Sequence, residues 1–194
     1  MREEITSFEA YPLEPNQAVA VIRAGRTARD RAILTLLWRT GLRSNEVCSL
    51  QMDHVRFRPD STVEVKVNRP KNLHRGAPKR VVACGKKASD MLKAWLAQRG
   101  DEPGPFFTTS AGQSLMTSQI RRTVSLAGKR AGLNRRVHPH AFRHTFAKDL
   151  YLAGVGVLEI QEALGHRSVD TTLRYLKDIG ATRVVEILAT RDEW

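Results

Sequence analysis

Five residues in four separate segments carry side chains suited to chemistry at a phosphate group. Arg43 lies in "TGLRSNE", His140 and Arg143 lie in "HPHAFRHTFA", His166 lies in "LGHRS", and Tyr175 lies in "TTLRYLK". Two guanidinium groups can hold the non-bridging oxygens of a phosphate through forked, charge-assisted hydrogen bonds. A tyrosine hydroxyl, with a free pKa of about 10, can attack phosphorus when a histidine accepts its proton. The set is what nucleophilic chemistry at a phosphate requires when no metal ion takes part.

The segment "HPHAFRHTFA" allows three interpretations, which are anion binding, metal binding and packing in the core. On a helix, Phe142 and Phe146 lie on one apolar face, whereas His140 and Arg143 lie together on another and are presented away from that core. His140 and His144 have the spacing of a metal-binding helix, but an alanine occupies the position of the general-base glutamate. Metal binding is therefore the weakest interpretation, and the other two stay open on this segment alone.

The charge balance of the chain favours a polyanionic partner. Thirty-two Lys and Arg against twenty Asp and Glu give a net charge of +12 over 194 residues. Such a surplus suits nucleic acid, because each neutralised phosphate releases counterions, although a merely basic protein would look the same. The two cysteines form no CxxC pattern, and the N-terminal residues lack the apolar core of a signal peptide. No apolar run is long enough to span a bilayer. These features predict a soluble, cytoplasmic protein without a membrane partner.

Apolar periodicity and end signals predict a mainly helical chain. In "TARDRAILTLLWRTG", Thr27 is a plausible N-cap and Gly41 a C-terminal stop. Thr117 and His138 are predicted to cap two further helices, the second with Pro139 in its first position. The predicted helices cover residues 14–25, 27–41, 44–50, 86–100, 117–132, 138–154, 157–164, 169–176 and 181–189.

Alternating apolar and polar residues predict a small antiparallel sheet. "HVRF" (54–57), "STVEVKV" (61–67) and "RVVA" (80–83) have strand composition, and "GPFFTT" (104–109) could form an edge strand. The second and third strands are joined by "NRPKNLHRGAPK", which predicts a long, exposed, cationic hairpin loop. The predicted fold class is α+β, mainly α-helical with a small antiparallel β-sheet. Residues 1–12 form a lead-in to a single domain at 13–194.

At the four segments quoted first, the chain resembles the tyrosine recombinase (phage-integrase) family. The matches are "TGLRSNE" for the first arginine box, "HPHAFRHTFA" for the His-x-x-Arg box, "ALGHRS" for the glycine-histidine box and "TTLRYLK" for the tyrosine box. Their order fits the family across residues 12 to 190, and four motifs in order are far more specific than one. The resemblance implies that residues 13–194 have the family's catalytic-domain fold, without the separate N-terminal domain that clamps DNA in most members. The chain would then be a naturally single-domain member or a catalytic fragment.

The resemblance also implies a site-specific recombinase mechanism. Tyr175 would attack a scissile DNA phosphate, giving a 3′-phosphotyrosyl bond and a free 5′-hydroxyl. Arg43 and Arg143 would hold the phosphate, His140 would accept the proton, and His166 would hydrogen-bond a non-bridging oxygen. Strand exchange would proceed through a Holliday junction, without a metal or any other cofactor.

A lysine from the β-hairpin would serve as general acid for the leaving 5′-oxygen. Lys71 and Lys79 both qualify by position, and Lys71 is preferred because "RPK" directly follows the first hairpin strand. Either lysine could instead make an ordinary phosphate contact.

The implied partner is double-stranded DNA. Four copies of the protein would bind it together as a homotetramer, whereas the free protein would be a monomer. Accessory DNA-bending proteins would be further partners. Two alternatives remain on the sequence alone, namely a DNA-binding accessory protein of the same fold and a type IB topoisomerase-like enzyme. Charge clusters that could line the DNA channel, or be merely solvated, are Arg121, Arg122, Lys129, Arg130, Arg135 and Arg136.

Overall fold

The computed structural model describes residues 11–68, 80–166, 168–173 and 176. Within these residues the fold is mainly helical, with one small antiparallel sheet, which confirms the predicted fold class. Residues 169–173 are also helical. The helices are α1 (Pro15–Arg23), α2 (Ala28–Thr40), α3 (Ser44–Cys48), α4 (Lys86–Arg99), α5 (Thr117–Arg130), α6 (Pro139–Leu152) and α7 (Val157–Leu164). A 3-10 turn (Met52–His54) precedes strand β1 (Val55–Phe57), and β2 (Val63–Val67) and β3 (Arg80–Cys84) complete the sheet.

Local signals set most helix ends. The Thr27 hydroxyl accepts the Asp30 backbone N–H at 3.0 Å at the start of α2, and Gly41 ends that helix at φ +60°. Both predictions for this helix are confirmed, since the left-handed conformation favours glycine. The cap predicted at Thr117 was wrong. That residue is the first of α5, and Met116 takes the N-cap position because its N–H donates to the Gln119 side chain at 2.8 Å.

The sheet has the order β1-β2-β3, and both strand pairs are antiparallel. Val63, Val65 and Val67 of the central strand are buried, while the residues between them are not, as expected for a sheet with one face on the core. The edge strand predicted at 104–109 was wrong. Phe106 and Phe107 are both 1% exposed, and their rings meet edge to face with centroids 5.0 Å apart. Within the described residues the segment makes only two isolated bridges, Pro105 with Gln51 and Thr108 with Ser114, and it pairs with none of the three strands of the sheet.

The buried apolar side chains form two clusters, and α6 contributes to both. Phe142 belongs to the larger cluster, which also takes in α2, the sheet and α4, whereas Ala147 belongs to the smaller one. The smaller cluster contains Ile160 and Leu164 of α7 and also Leu176. Because α6 is held at both ends by apolar packing, its polar residues have fixed positions between the two clusters.

Several predictions lie outside the described residues. They are the lead-in up to residue 10, the hairpin loop from residue 69 with the candidate general acids Lys71 and Lys79, the candidate nucleophile Tyr175, and the last helix at 181–189. Among the residues that the structure describes, no helix is long and apolar enough to cross a membrane.

Candidate active site

Arg143 connects the C-terminal ends of two helices. It is 2% exposed, and its Nη1 and Nη2 donate to the carbonyls of Gly41 and Leu164 at 2.5 and 2.6 Å. These carbonyls follow α2 and end α7, where a helix leaves acceptors unsatisfied and carries partial negative charge. The sequence pattern predicts this guanidinium on a face of α6 away from Phe142 and Phe146, and it does not predict that the side chain is buried. Tertiary packing of the two helix ends around Arg143 buries it.

Arg43, which directly precedes α3, reaches the turn at Gly165 that follows α7. Its Nη1 lies 3.3 Å from Glu46 Oε1, and its Nη2 donates to the carbonyl of Gly165 at 3.3 Å. Its backbone N–H also donates to Glu46 Oε2 at 2.7 Å. The side chain is still 35% exposed, unlike that of Arg143. Since the two arginines bind the adjoining carbonyls of Leu164 and Gly165, the structure brings them together as the sequence predicts.

Glu46 is the buried acceptor behind Arg43, and it has a second and stronger partner. Arg80 Nη1 and Nη2 donate to the two carboxylate oxygens at 2.9 and 2.8 Å, which is a forked ion pair. Burial alone would raise the pKa of Glu46, but the hydrogen bonds and charge of Arg80 and the N–H of Arg43 outweigh it. The pKa of the carboxyl therefore lies below its ordinary value, and Glu46 is ionised at neutral pH.

His140 lies one helical turn before Arg143, exposed at the surface of α6. Partial desolvation, followed by the positive charges of Arg143 and Arg43, lowers its pKa below the ordinary value of 6.5. The imidazole is therefore neutral at pH 7, and a neutral imidazole can accept a proton. Two guanidinium groups can bind an anion, and a neutral imidazole on the same helix as one of them can accept a proton.

His166 follows the turn that accepts from both arginines. It is 8% exposed, and its Nδ1 lies 2.8 Å from the hydroxyl of the fully buried Thr172. Burial, followed by the charges of Arg143 and Arg43, lowers its pKa to about 3. A neutral ring fixed by Thr172 is suited to hydrogen bonding rather than to carrying charge.

His144 lies one turn after His140 on α6 and directly follows Arg143. Burial, followed by the charges of His140 and Arg143, lowers its pKa to about 4. Within the described ranges, no group of three or more His, Cys, Asp or Glu side chains is placed to hold a metal ion. Leu176, which adjoins Tyr175 in sequence, is 4% exposed and belongs to the smaller apolar cluster.

The six basic residues proposed to line a DNA channel are not equivalent. Arg135 donates to the carbonyls of Tyr11 and Pro12 at 2.9 and 2.6 Å and so ties the start of the described chain to the loop before α6. Burial, followed by the charges of Arg136 and Arg121, lowers the pKa of His138, the residue that precedes α6. These two arginines therefore lie near His138, at the start of α6. Those that are exposed are Arg121, Arg122, Lys129, Arg130 and Arg136.

Sequence reasoning missed two residues of this site. Arg80 pairs with Glu46 across 34 positions of sequence, and nothing in "PKRVVA" distinguishes it from the other basic residues around the hairpin. Thr172 lies in the "TTLRYLK" motif, three positions before the tyrosine to which the motif points. Because the residue lies six positions after His166, a helix after the "LGHRS" turn could have suggested that the two meet.

Comparison with known proteins places this geometry in a family. The model described as "Phage integrase family" matches residues 12–179. Tyrosine recombinase XerC of Thermodesulfovibrio yellowstonii is 35% identical over an alignment of 157 residues, and the match covers 76% of this chain and 49% of that protein. The crystal structure of XerA recombinase is 29% identical with a TM-score of 0.76, covering 89% of this chain and 64% of that one.

A second solved structure shows the same fold at lower identity. XerH site-specific recombinase bound to difH substrate, in a pre-cleavage complex, is 24% identical with a TM-score of 0.70. That similarity covers 84% of this chain and 50% of the XerH chain. The present chain spans about half the length of the curated relatives it matches. With four motifs, a matching family model and the converging arginines in agreement, the chain belongs to the phage integrase family.

Proposed function

We propose that this chain is a catalytic domain of a site-specific DNA recombinase, formed by residues 13–194, which cleaves and rejoins DNA strands. One observation carries the proposal. Arg43 and Arg143, from helices far apart in sequence, meet at the carbonyls of Gly165 and Leu164, with neutral histidines beside them. A protein that only binds DNA does not need this combination of a phosphate clamp and proton acceptors. The curated relatives are named as tyrosine recombinases, which favours recombination over an accessory or a topoisomerase-like role.

The proposed reaction is a transesterification. The hydroxyl oxygen of Tyr175 attacks the scissile phosphorus, a bond between phosphorus and the tyrosine oxygen forms, and the bond to the 5′-oxygen breaks. His140 accepts the phenolic proton, and Lys71 donates a proton to the leaving 5′-oxygen. Attack by another 5′-hydroxyl on the phosphotyrosyl bond then reverses these steps and gives a Holliday junction. The chemistry needs no cofactor, because the phosphodiester energy is retained in the protein–DNA ester.

The two arginines divide the work of stabilising the transition state. Arg143 is rigid, because it is buried and both of its terminal nitrogens are hydrogen-bonded to backbone carbonyls. Arg43 is 35% exposed, so it can present its guanidinium edge to a phosphate that approaches from solvent. Fixed positive charge at the five-coordinate phosphorus stabilises the transition state more than the substrate.

The proposed partner is double-stranded DNA, bound by four copies of the protein. The net charge of +12 supports a polyanionic partner. XerH, which is similar in fold, was crystallised with its difH DNA substrate. We expect the free protein to be a monomer and accessory DNA-bending proteins to assist the assembly.

The test is covalent trapping on DNA. The 194-residue protein is incubated in EDTA with randomly nicked genomic fragments, because a nick lets the 5′-hydroxyl fragment diffuse away. We expect an SDS-resistant, protease-sensitive adduct with the wild type and none with Tyr175→Phe, which removes only the nucleophile. DNA affinity of the variant should stay close to that of the wild type.

Two matched controls come from the other tyrosines of the chain, Tyr11 and Tyr151. Tyr11→Phe and Tyr151→Phe should retain the adduct. An adduct with Tyr175→Phe would refute the assignment of the nucleophile. A wild-type protein that binds DNA and forms no adduct would refute catalysis by this chain and favour an accessory DNA-binding role.

A further inference from the structure

We infer that Arg80 is a positioning residue for the phosphate clamp, which fixes the guanidinium of Arg43 through the carboxylate of Glu46. This inference rests on the proposed function, since it assigns a role within the same site. Arg80 is the first residue of β3 and pairs with Val67 across the sheet, so its backbone is held by the ladder. Three contacts connect Arg80 to Arg43 through Glu46 and Gly165.

The first contact is the ion pair itself. Glu46 is 4% exposed, and a buried carboxylate is costly unless it is paired and hydrogen-bonded. Arg43 offers one side-chain contact at 3.3 Å from a side chain that is 35% exposed. Arg80 offers two, at 2.9 and 2.8 Å, from a side chain that is 10% exposed. Arg80 is therefore the principal counter-ion that keeps Glu46 ionised in the folded protein.

The second contact links Glu46 to Arg43. The ionised carboxylate accepts from Arg43 twice, through the backbone N–H at 2.7 Å and through Nη1 at 3.3 Å. An ionised carboxylate has only acceptor sites, whereas a protonated one must place a donor somewhere in this cluster of donors. Loss of Arg80 therefore weakens the contacts of Glu46 with both the backbone N–H and the side chain of Arg43, although Arg80 itself does not contact Arg43.

The third contact is with the turn that Arg43 also binds. A Cβ added to Gly165 would lie 2.6 Å from Arg80 Nη1, so the guanidinium of Arg80 packs directly against this glycine. The carbonyl of Gly165 accepts from Arg43 Nη2 at 3.3 Å. Arg80 thus supports both groups that hold Arg43, namely the carboxylate of Glu46 and the Gly165 turn.

The experiment separates positioning from DNA binding and from simple folding. Single-turnover cleavage and DNA affinity are measured for the wild type, Arg80→Gln and Arg80→Lys. We expect Arg80→Gln to slow cleavage by about tenfold to a hundredfold, because misplacing a catalytic group by about 1 Å costs this much. Affinity should stay within about twofold, since the phosphate contacts remain. Arg80→Lys should recover part of the rate, because it restores the charge without the fork.

A double-mutant cycle with Glu46→Gln tests whether Arg80 acts through that residue. We expect the double variant to be no slower than the slower of the two single variants. The matched control is Arg58→Gln, which removes the guanidinium of another ion pair, with Glu64 at 2.6 Å. Arg58 directly follows β1, the strand at the opposite edge of the sheet from β3. This control should cleave at the wild-type rate.

Each outcome decides the inference. Rate losses that multiply in the double variant would show that Arg80 acts independently of Glu46 and overturn the inference. A drop in DNA affinity that matches the drop in rate would show that Arg80 acts on DNA directly and overturn it too. Arg80→Gln that cleaves like Arg58→Gln would overturn it as well. If Arg80→Gln does not fold, the rate and affinity of Arg80→Lys decide instead. A wild-type protein without cleavage would refute the proposed function and, with it, the role of Arg80 in cleavage.

Discussion

His166 is a buried, uncharged histidine among arginines, and this makes the stability of the fold depend on pH. Its pKa falls from 6.5 to about 3 on folding, because of burial and the charges of Arg143 and Arg43. Between these values the unfolded chain binds a proton that the folded chain does not. The contribution of His166 to the free energy of unfolding is therefore complete above pH 6.5 and decreases as the pH falls below 6.5 towards 3. His144, with a pKa of about 4, acts in the same direction.

The measurement is urea unfolding at pH 8, 6.5 and 5 for the wild type and His166→Gln. One such histidine contributes a slope of at most about 1.4 kcal/mol per pH unit. Gln lacks the titrating group, yet its amide can still hydrogen-bond Thr172, so the variant should show a shallower loss below pH 6.5. Equal slopes for the two proteins between pH 6.5 and 5 would mean that His166 is protonated in the folded state.

For single residues, the sequence predicts which side chains form the site better than it predicts what surrounds them. Arg43, His140, Arg143 and His166 lie in short motifs, and the structure brings all four together. The burial of Arg143 was not predictable, because the acceptors that surround it come from α2 and α7. Arg80 was missed for the same reason, since its significance comes from a carboxylate on α3.

Two glycines at the ends of neighbouring elements allow a matched test of packing. Gly165 (φ +65°) and Gly154 (φ +87°) both adopt backbone conformations that cost alanine about 1–2 kcal/mol. A Cβ at Gly154 meets nothing within 4 Å, whereas a Cβ at Gly165 would lie 2.6 Å from Arg80 Nη1. Arg80 can move only by loosening its fork with Glu46. Gly165→Ala should therefore be less stable than Gly154→Ala and should also cleave DNA more slowly.

Urea unfolding and single-turnover cleavage on the two variants check this expectation. Gly154→Ala should lose stability by the backbone cost alone and keep the wild-type rate. Similar losses of stability and of rate in both variants would show that the contact between Gly165 and Arg80 has no role beyond the backbone conformation.

The helices and strands that the sequence predicts correctly have strong local signals. Pro139 in the first turn of α6 and glycine after α2 restrict the backbone whatever lies around them. The segment 104–109 lacks such a signal, and its composition favours a strand. Its course is set instead by tertiary contacts, since the Phe106 carbonyl accepts from Trp95 Nε1 at 2.8 Å and both phenylalanine rings are buried. Contacts of this kind cannot be read from a window of sequence.

Over the whole molecule, the candidate site lies where the two apolar clusters meet. A Cβ at Gly41 would lie 2.5 Å from Phe146 and 3.0 Å from Leu164, so the end of α2 packs directly against α6 and α7. Arg143 joins the same helix ends through its two carbonyl contacts. The relative position of the clusters and the geometry of the clamp are thus determined together, and a substitution that shifts α7 should disturb both.

The exposed arginines near the start of α6 predict how DNA affinity depends on salt. Arg121 and Arg136 are exposed and lie near His138, at the start of the helix whose first turn carries His140, so we expect each to contact a DNA phosphate. Arg121→Ala with Arg136→Ala should reduce the slope of log affinity against log salt by about 2, since each phosphate contact contributes about 0.9. Arg135→Ala is the matched control, because its guanidinium binds the carbonyls of Tyr11 and Pro12. It should lower the free energy of unfolding and leave the slope unchanged. Binding isotherms from 50 to 200 mM salt measure the slope for each variant. An equal change of slope in Arg135→Ala would mean that net charge alone, rather than the position of Arg121 and Arg136, determines the electrostatic part of DNA binding.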